Sequence, residues 1–213
     1  MDFQMPITKR KISHHFQYSI WIYLLVAGLA LFGWNLLYTM TRYQPPEAMR
    51  VEFYAESSAG DETLFDELAE RIHEEIMPEM ELVTAAPVTI SDDYYGDMQL
   101  TVWISAAQGD IYLLSEDYYQ QYAASGAFLE LQPYIDSGEL DTEGLDLSDG
   151  YVKLSDPDPG YEGEYLYGIP ADLLTGFIDY SIDPEGMVLC VLYQNGNSEY
   201  SIKFLNYLLQ NLR

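Results

Sequence analysis

Hydrophobic residues are distributed along this chain in two different ways. From Phe16 to Met40 they form one nearly unbroken run, FQYSIWIYLLVAGLALFGWNLLYTM, with no Asp, Glu, Lys or Arg. At about 1.5 Å of rise per residue, a helix of about 20 such residues crosses a hydrocarbon layer of about 30 Å. Trp21 and Tyr23 near one end, with Trp34 and Tyr38 near the other, stand where amphipathic rings favour the boundary between lipid and water. A cleaved signal peptide has a shorter apolar region, about 7 to 15 residues, followed by a small-residue cleavage site. This run fits an uncleaved anchor better, and no cysteine follows it to carry a lipid.

Beyond residue 50 the periodicity is that of a folded domain. Val51 to Tyr54 predicts a strand, and Leu64, Phe65, Leu68, Ile72 and Ile76 recur at helical spacing up to Pro78. Val88 to Ile90 predicts a second strand. A helix from Tyr94 to Ala107 follows, on which Met98, Val102 and Ser105 share a face, and it stops before Gly109. Ile111 to Leu114 is the third strand. Ser115 is placed to cap a helix over 116–125 that Gly126 ends, and Phe128 to Leu131 is again extended. The alternation predicts an α/β fold, a single open sheet with crossover helices.

From Pro133 to Gly163 turn formers and acids replace the periodic apolar residues, which predicts a long surface excursion. Extended segments resume at 165–169, 176–182 and 187–193. Asn197 or Ser198 is placed to cap a last helix bearing the stripe Ile202, Leu205, Leu208, Leu209 and Leu212.

Charge sharpens this division into a basic tail at 1–15, a membrane helix at 16–40, a linker at 41–50 and an acidic domain at 51–213. Lys9, Arg10 and Lys11 precede the span and Arg42 and Arg50 follow it, which favours an amino terminus in the cytoplasm and the bulk of the chain outside the cell. The whole chain carries −26, and residues 51–213 hold 4 Lys or Arg against 33 Asp or Glu, a net of −29. Such a surface excludes nucleic acid as a partner. It also repels anionic headgroups, so the domain is expected to stand off the bilayer on a linker stiffened by Pro45 and Pro46. Cys190 is the single cysteine, which rules out an intrachain disulfide, and its apolar neighbours place it in the core.

Motifs for catalysis are lacking: there is no Gly-rich phosphate loop, no His and Cys metal motif and no nucleophile elbow, so neither enzyme activity nor a cofactor is implied. Glu139, Asp141, Glu143 and Gly144 imitate the start of a calcium loop. The twelfth position is Gly150, where an EF-hand needs a bidentate Glu, so only a looser divalent-cation site stays open. His73, among Glu70, Glu74 and Glu75, reads as a surface helix residue. Tyr94, Tyr95, Tyr118 and Tyr119 sit at predicted strand ends, where rings either stack on sugar or peptide ligands or simply pack half buried.

Residues 99–135, QLTVWISAAQGDIYLLSEDYYQQYAASGAFLELQPYI, resemble the extracellular solute-binding proteins of ABC importers, the maltose-binding-protein-like family 1. Gly109 and Asp110 hold the place of the family's turn before a strand, Gly126 and Ala127 that of its Gly-Ala-Leu segment, and Pro133, Tyr134 and Ile135 that of its Pro-Tyr-Ile turn. Tyr167, Gly168, Ile169 and Pro170 look like its Tyr-Gly-Ile-Pro strand. The resemblance covers about half of residues 51–213 and implies one lobe of a periplasmic-binding-protein fold. Typical members have two lobes and a lipid-bearing cysteine, and both are missing here.

In an open α/β sheet a ligand lies outside the carboxyl ends of the strands. The resemblance therefore implies a site at Glu56, Ser57, Asp92, Tyr94, Tyr95, Ser115, Glu116 and Tyr118. With so few cations, a neutral or cationic solute such as a carbohydrate or peptide suits it. The leading expectation is a membrane-tethered solute-binding-like domain accessory to an ABC importer. Two others stand beside it: an interaction or scaffold module for a membrane protein partner, and a divalent-cation-responsive acidic surface.

Overall fold

A computed structural model describes residues 9–43, 45–90, 94–154, 163–193 and 196–213; within these, the side chains of 9–19 and of residues 94, 97 and 154 are not described. The chain separates into two compact units, 1–44 and 45–213. The first contains α1 (Lys9–Thr41), and its stretch Ile20–Thr41, 22 residues with none buried, is long and apolar enough to cross a membrane.

The second unit contains β1 (Arg50–Glu56), α2 (Glu62–Ile76), β2 (Leu82–Val88), α3 (Tyr94–Ser105), β3 (Ile111–Ser115), α4 (Glu116–Ala123), α5 (Gln132–Asp136), β4 (Tyr151–Leu154), β5 (Gly163–Leu166), β6 (Gly168–Pro170), β7 (Met187–Val191) and α6 (Ser198–Asn211). Five strands form one open sheet in the order β2-β1-β3-β7-β6. β1 runs parallel to both β2 and β3, whereas β7 is antiparallel to β3 and to β6. β2 and β6 are the edges; β2 contains Pro87, and β6 is three residues long and ends in Pro170.

The alternation in β1 sorts its side chains. Val51, Phe53 and Ala55 are fully buried on one face, while Glu52, Tyr54 and Glu56 are half-buried on the other. Phe53 meets the rings of Phe204, Phe65 and Phe177 at centroid distances of 5.6, 6.2 and 6.5 Å. Phe65, Leu68, Ala69 and Ile72 of α2 and the predicted stripe of α6 fill this core, and every member of that stripe is buried. On the opposite face Leu100 of α3 and Tyr119, Tyr122 and Ala123 of α4 cover Tyr112, Leu114, Val188 and Cys190. Helices thus lie on both faces of the sheet. Cys190 is buried there, as its apolar surroundings require.

Several local expectations are corrected. The second strand spans Leu82–Val88 rather than 88–90, because Val83 and Ala85 alternate inward along β1. Residues 176–182 are not extended; Thr175–Tyr180 is a 3-10 turn that buries Phe177 and Tyr180 and ends with Ser181 at φ 62°. The predicted strand 165–169 breaks at Tyr167 into β5, which pairs with β4, and β6, which pairs with β7. Met98 and Val102 of α3 face solvent, whereas Leu100 is fully buried. His73 is half-buried and its Nε2 donates to the Met80 carbonyl (2.8 Å), which fixes the turn out of α2. The acidic excursion is partly built into the fold: Leu140 is buried, and β4 and β5 make a two-stranded sheet.

Neither predicted cap works through its own side chain. Ser115 has no capping bond. The Asn197 side-chain amide instead donates to the carbonyls of Glu47 and Arg50, the latter at 2.7 Å. This holds the turn Glu47–Met49, inside the predicted linker, against the start of α6.

Two buried phenols make the domain sensitive to alkali. The Tyr119 hydroxyl donates to the Gly150 carbonyl (2.6 Å) and that of Tyr112 to the Gln108 carbonyl. Burial, before any neighbouring charge, pushes both pKa values well above the ordinary value of 10.0. In the unfolded chain these phenols ionise near pH 10 while the folded ones keep their protons. Their contribution is therefore complete below about pH 10 and is lost as pH rises further. Titration followed by phenolate absorbance and circular dichroism should show a last group of tyrosines ionising only as the fold melts. Complete ionisation with the fold intact would contradict this assignment.

Candidate functional site at the strand ends

The chain leaves β1 and β3 in opposite directions. α2 follows β1 into one core and α4 follows β3 into the other. Between two adjacent parallel strands whose helices depart to opposite faces, an open α/β sheet has a crevice at its carboxyl edge. Glu56 ends β1 and Ser115 ends β3, so both border this crevice.

The two are joined directly. The Ser115 backbone N–H donates to Glu56 Oε2 at 2.7 Å. Glu56 therefore supplies, from the neighbouring strand, the carboxylate that the amino end of α4 favours through its exposed N–H groups and dipole. The next amide, Glu116 N–H, donates to the Gly186 carbonyl (2.9 Å), and Gly186 N–H donates to Asp172 Oδ1 (3.0 Å). On the β2 side, Ser57 N–H donates to the Val88 carbonyl (2.9 Å), the Thr89 hydroxyl donates to the Ser57 carbonyl (3.3 Å), and Ser57 Oγ accepts from Ala59 N–H (3.2 Å).

Of the residues predicted for this site, Glu56, Ser57, Ser115 and Glu116 lie together along this edge. Tyr118, on the first turn of α4, is half-buried and packs against the α3 and α4 core. Tyr95 stands on α3, 71% exposed. Asp92 lies outside the described residues, and only the backbone of Tyr94 is described. Asp172 and the turn at Gly186 also border the edge, and the sequence reading missed them. They arrive from the antiparallel half of the sheet; the sole signal was the turn-forming run Asp183, Pro184, Glu185, Gly186.

Chemically, this edge offers a half-buried carboxylate, serine hydroxyls and further carboxylates around it, which accept hydrogen bonds from hydroxyl or ammonium donors. Among the described residues, no group of three or more His, Cys, Asp or Glu is arranged to hold a metal ion. The loop that imitates a calcium site contains a cation of the protein's own. The Arg213 guanidinium donates to the carbonyls of Asp141 and Glu143, at 2.8 Å for the latter, and lies 3.8 Å from the Asp141 carboxylate. Nearby, the Asp146 carboxyl is held below its ordinary range by hydrogen bonds from Ser148, chiefly the backbone N–H.

No protein-family model matches the chain, and no curated protein matches it. Solved structures similar to part of it include an extracellular solute-binding protein of family 1 from Alicyclobacillus acidocaldarius, at 16% identity and a TM-score of 0.38, covering 61% of this chain and 29% of that one. An ABC substrate-binding protein from Listeria monocytogenes in complex with cycloalternan gives 19% identity and a TM-score of 0.39, covering 56% and 28%. The galacto-N-biose and lacto-N-biose I-binding protein of an ABC transporter from Bifidobacterium longum gives 11% and 0.37, covering 60% and 29%. The chain is therefore similar, over part of its length, to extracellular solute-binding proteins, and it spans less than a third of the length of each.

Proposed function

We propose that this protein is a membrane-tethered, extracytoplasmic solute-binding-like domain accessory to an ABC importer, whose ligand edge is the crevice between β1 and β3. The observation that carries the reading is the Glu56 to Ser115 bridge. A half-buried carboxylate sits where helices leave adjacent parallel strands for opposite faces, the position at which open α/β sheets take ligands. The sequence resemblance over residues 99–135 supports the same reading. So does the apolar stretch Ile20–Thr41, which serves as the anchor.

An acceptor-rich edge on a domain of this charge suits a neutral or cationic solute with hydroxyl or amine donors, a carbohydrate or a peptide. With one oxygen accepting from Ser115 N–H, the Glu56 carboxylate keeps acceptor capacity for a ligand, and the chain lacks the motifs of a catalytic site. Binding without turnover is accordingly the proposed activity.

The test is a thermal-shift screen of the full chain in detergent against sugars and short peptides, repeated with Glu56→Gln. The amide oxygen of Gln can still accept from Ser115 N–H, so the fold is preserved while the charge is removed. A saturable shift whose midpoint concentration rises about tenfold in the variant, about 1.4 kcal/mol, supports the site. A flat response across the panel, or a hit indifferent to E56Q, overturns it.

A further inference from the structure

α3 is apolar on two sides. Leu100 points inward and is fully buried, with Trp103 and Ile104 half-buried against the same core. On the outward side Tyr95, Met98, Val102 and Ser105 recur at spacings of three, four and three, and all four are exposed, Met98 at 49% and Val102 at 57%. A helix that is apolar all round is ordinarily covered all round. Alternating spacings of three and four are those of a coiled-coil seam, in which side chains of one helix enter the gaps of another.

The charge pattern sets this side of the domain apart. Residues 98–109 and 118–129 contain no Asp, Glu, Lys or Arg, although residues 51–213 hold 4 Lys or Arg and 33 Asp or Glu. α2, over the opposite core, has six acids in its 15 residues. The two neutral stretches adjoin: Thr101 Oγ1 and the Tyr122 hydroxyl share a hydrogen bond (2.8 Å), and Gln121, Ala124 and Ser125 beside them are exposed.

The chemistry of this face selects its occupant. A cationic partner would gain more from the acidic surfaces elsewhere. A helix that lies on lipid has Lys or Arg beside its apolar stripe, and these stretches have neither. A like-charged copy of the chain is the occupant for which an uncharged contact matters most, because any acid placed there would face its own image. The sizes along the stripe also complement themselves. When two copies of α3 cross antiparallel about a two-fold axis near Leu100, Tyr95 of each meets the small Ser105 of the other, and Met98 of each meets Val102 of the other.

We infer that α3 is the seam of a symmetric dimer of this chain, two α3 helices packed antiparallel with the neutral part of α4 beside them. Its 12 residues make a helix about 18 Å long, so the contact falls short of the roughly 1,200 Å² that stable pairs bury, and the dimer is a weak one. Charge on the rest of each domain opposes the pairing, so added salt strengthens it by screening. The seam is separate from the strand-end crevice and stands or falls independently of it.

The experiment is sedimentation velocity of the full chain in detergent over a range of protein concentrations. A monomer and dimer in equilibrium are expected, with affinity weakened at least tenfold in Val102→Asp. It stays within twofold of the parent in Ile178→Asp, which alters an apolar residue 61% exposed on the 175–180 turn. Raising salt from about 0.05 M to about 0.5 M should tighten the dimer. Both variants should melt as the parent does by circular dichroism. An equal mixture of Met98→Cys and Val102→Cys chains reads the direction of packing: the mixed disulfide should form faster than a disulfide in either variant alone, and the native Cys190 is buried. A monomer at every concentration, a dimer indifferent to V102D, or equal weakening by V102D and I178D overturns the assignment. So does weakening by salt, or cross-linking as fast in the single variants as in the mixture. Protection of M98C from a water-soluble maleimide by phosphatidylcholine vesicles, at concentrations where the chain is monomeric, would give the face to lipid and overturn it too.

Discussion

Phe53→Ala is expected to destabilise the domain by about 3 to 5 kcal/mol, the range for removing a large aromatic side chain from a packed interior. Phe53 is fully buried on β1, an interior strand of the sheet, and the rings of Phe65, Phe177 and Phe204 converge on it from α2, the 175–180 turn and α6. These three belong to separate segments, so no single one can move in to fill the space. Against a typical stability of about 5 to 15 kcal/mol, such a loss brings the domain close to unfolding at ambient temperature. Urea denaturation followed by circular dichroism measures it. A loss below about 1 kcal/mol would mean that the core relaxes around the deletion and that Phe53 is not its organising residue.

Asn197→Ala comes second, at about 1 to 3 kcal/mol, the net worth of two hydrogen bonds at about 0.5 to 1.5 kcal/mol each. The amide of Asn197, itself 6% exposed, serves the carbonyls of both Glu47 and Arg50. Its removal frees the Glu47–Met49 turn and with it the start of β1. Limited trypsin digestion reads this directly, because Arg50 lies in the segment released and residues 51–213 hold only four other Lys or Arg residues. Faster cleavage after Arg50 in the variant is expected. Equal rates in parent and variant would show that the turn is held by other contacts.

The sequence revealed the parts of this fold in which burial is one-sided. The α6 stripe and the β1 alternation are plain because one face of each meets the core and the other meets solvent. α3 defeated the same logic. Apolar residues surround it, with Tyr95, Met98 and Val102 exposed and Leu100 buried, so helical spacing alone named the wrong face. The segment 175–180 was misread for a related reason, since Phe177 and Tyr180 are three apart, a spacing that a 3-10 turn buries on one side. The Glu56, Ser57, Ser115 and Glu116 edge was legible because strand ends can be counted from the chain. That Glu56 reaches across to the Ser115 amide was not, since the register of β1 against β3 is a tertiary fact; the same holds for Asp172 and Gly186.

The edges of the sheet bear on how copies of the protein behave when crowded. A strand at an open edge is a template for another strand, and chains confined to a surface meet one another far more often than chains in solution. β2 presents Pro87, which has no N–H to offer, and β6 is too short to seed a ladder and ends in Pro170. With −29 on residues 51–213, neighbours also repel at close range. If the chain is tethered as proposed, dense packing would leave these domains side by side as separate folded units, where longer and plainer edges would invite them to fuse into a continuous sheet.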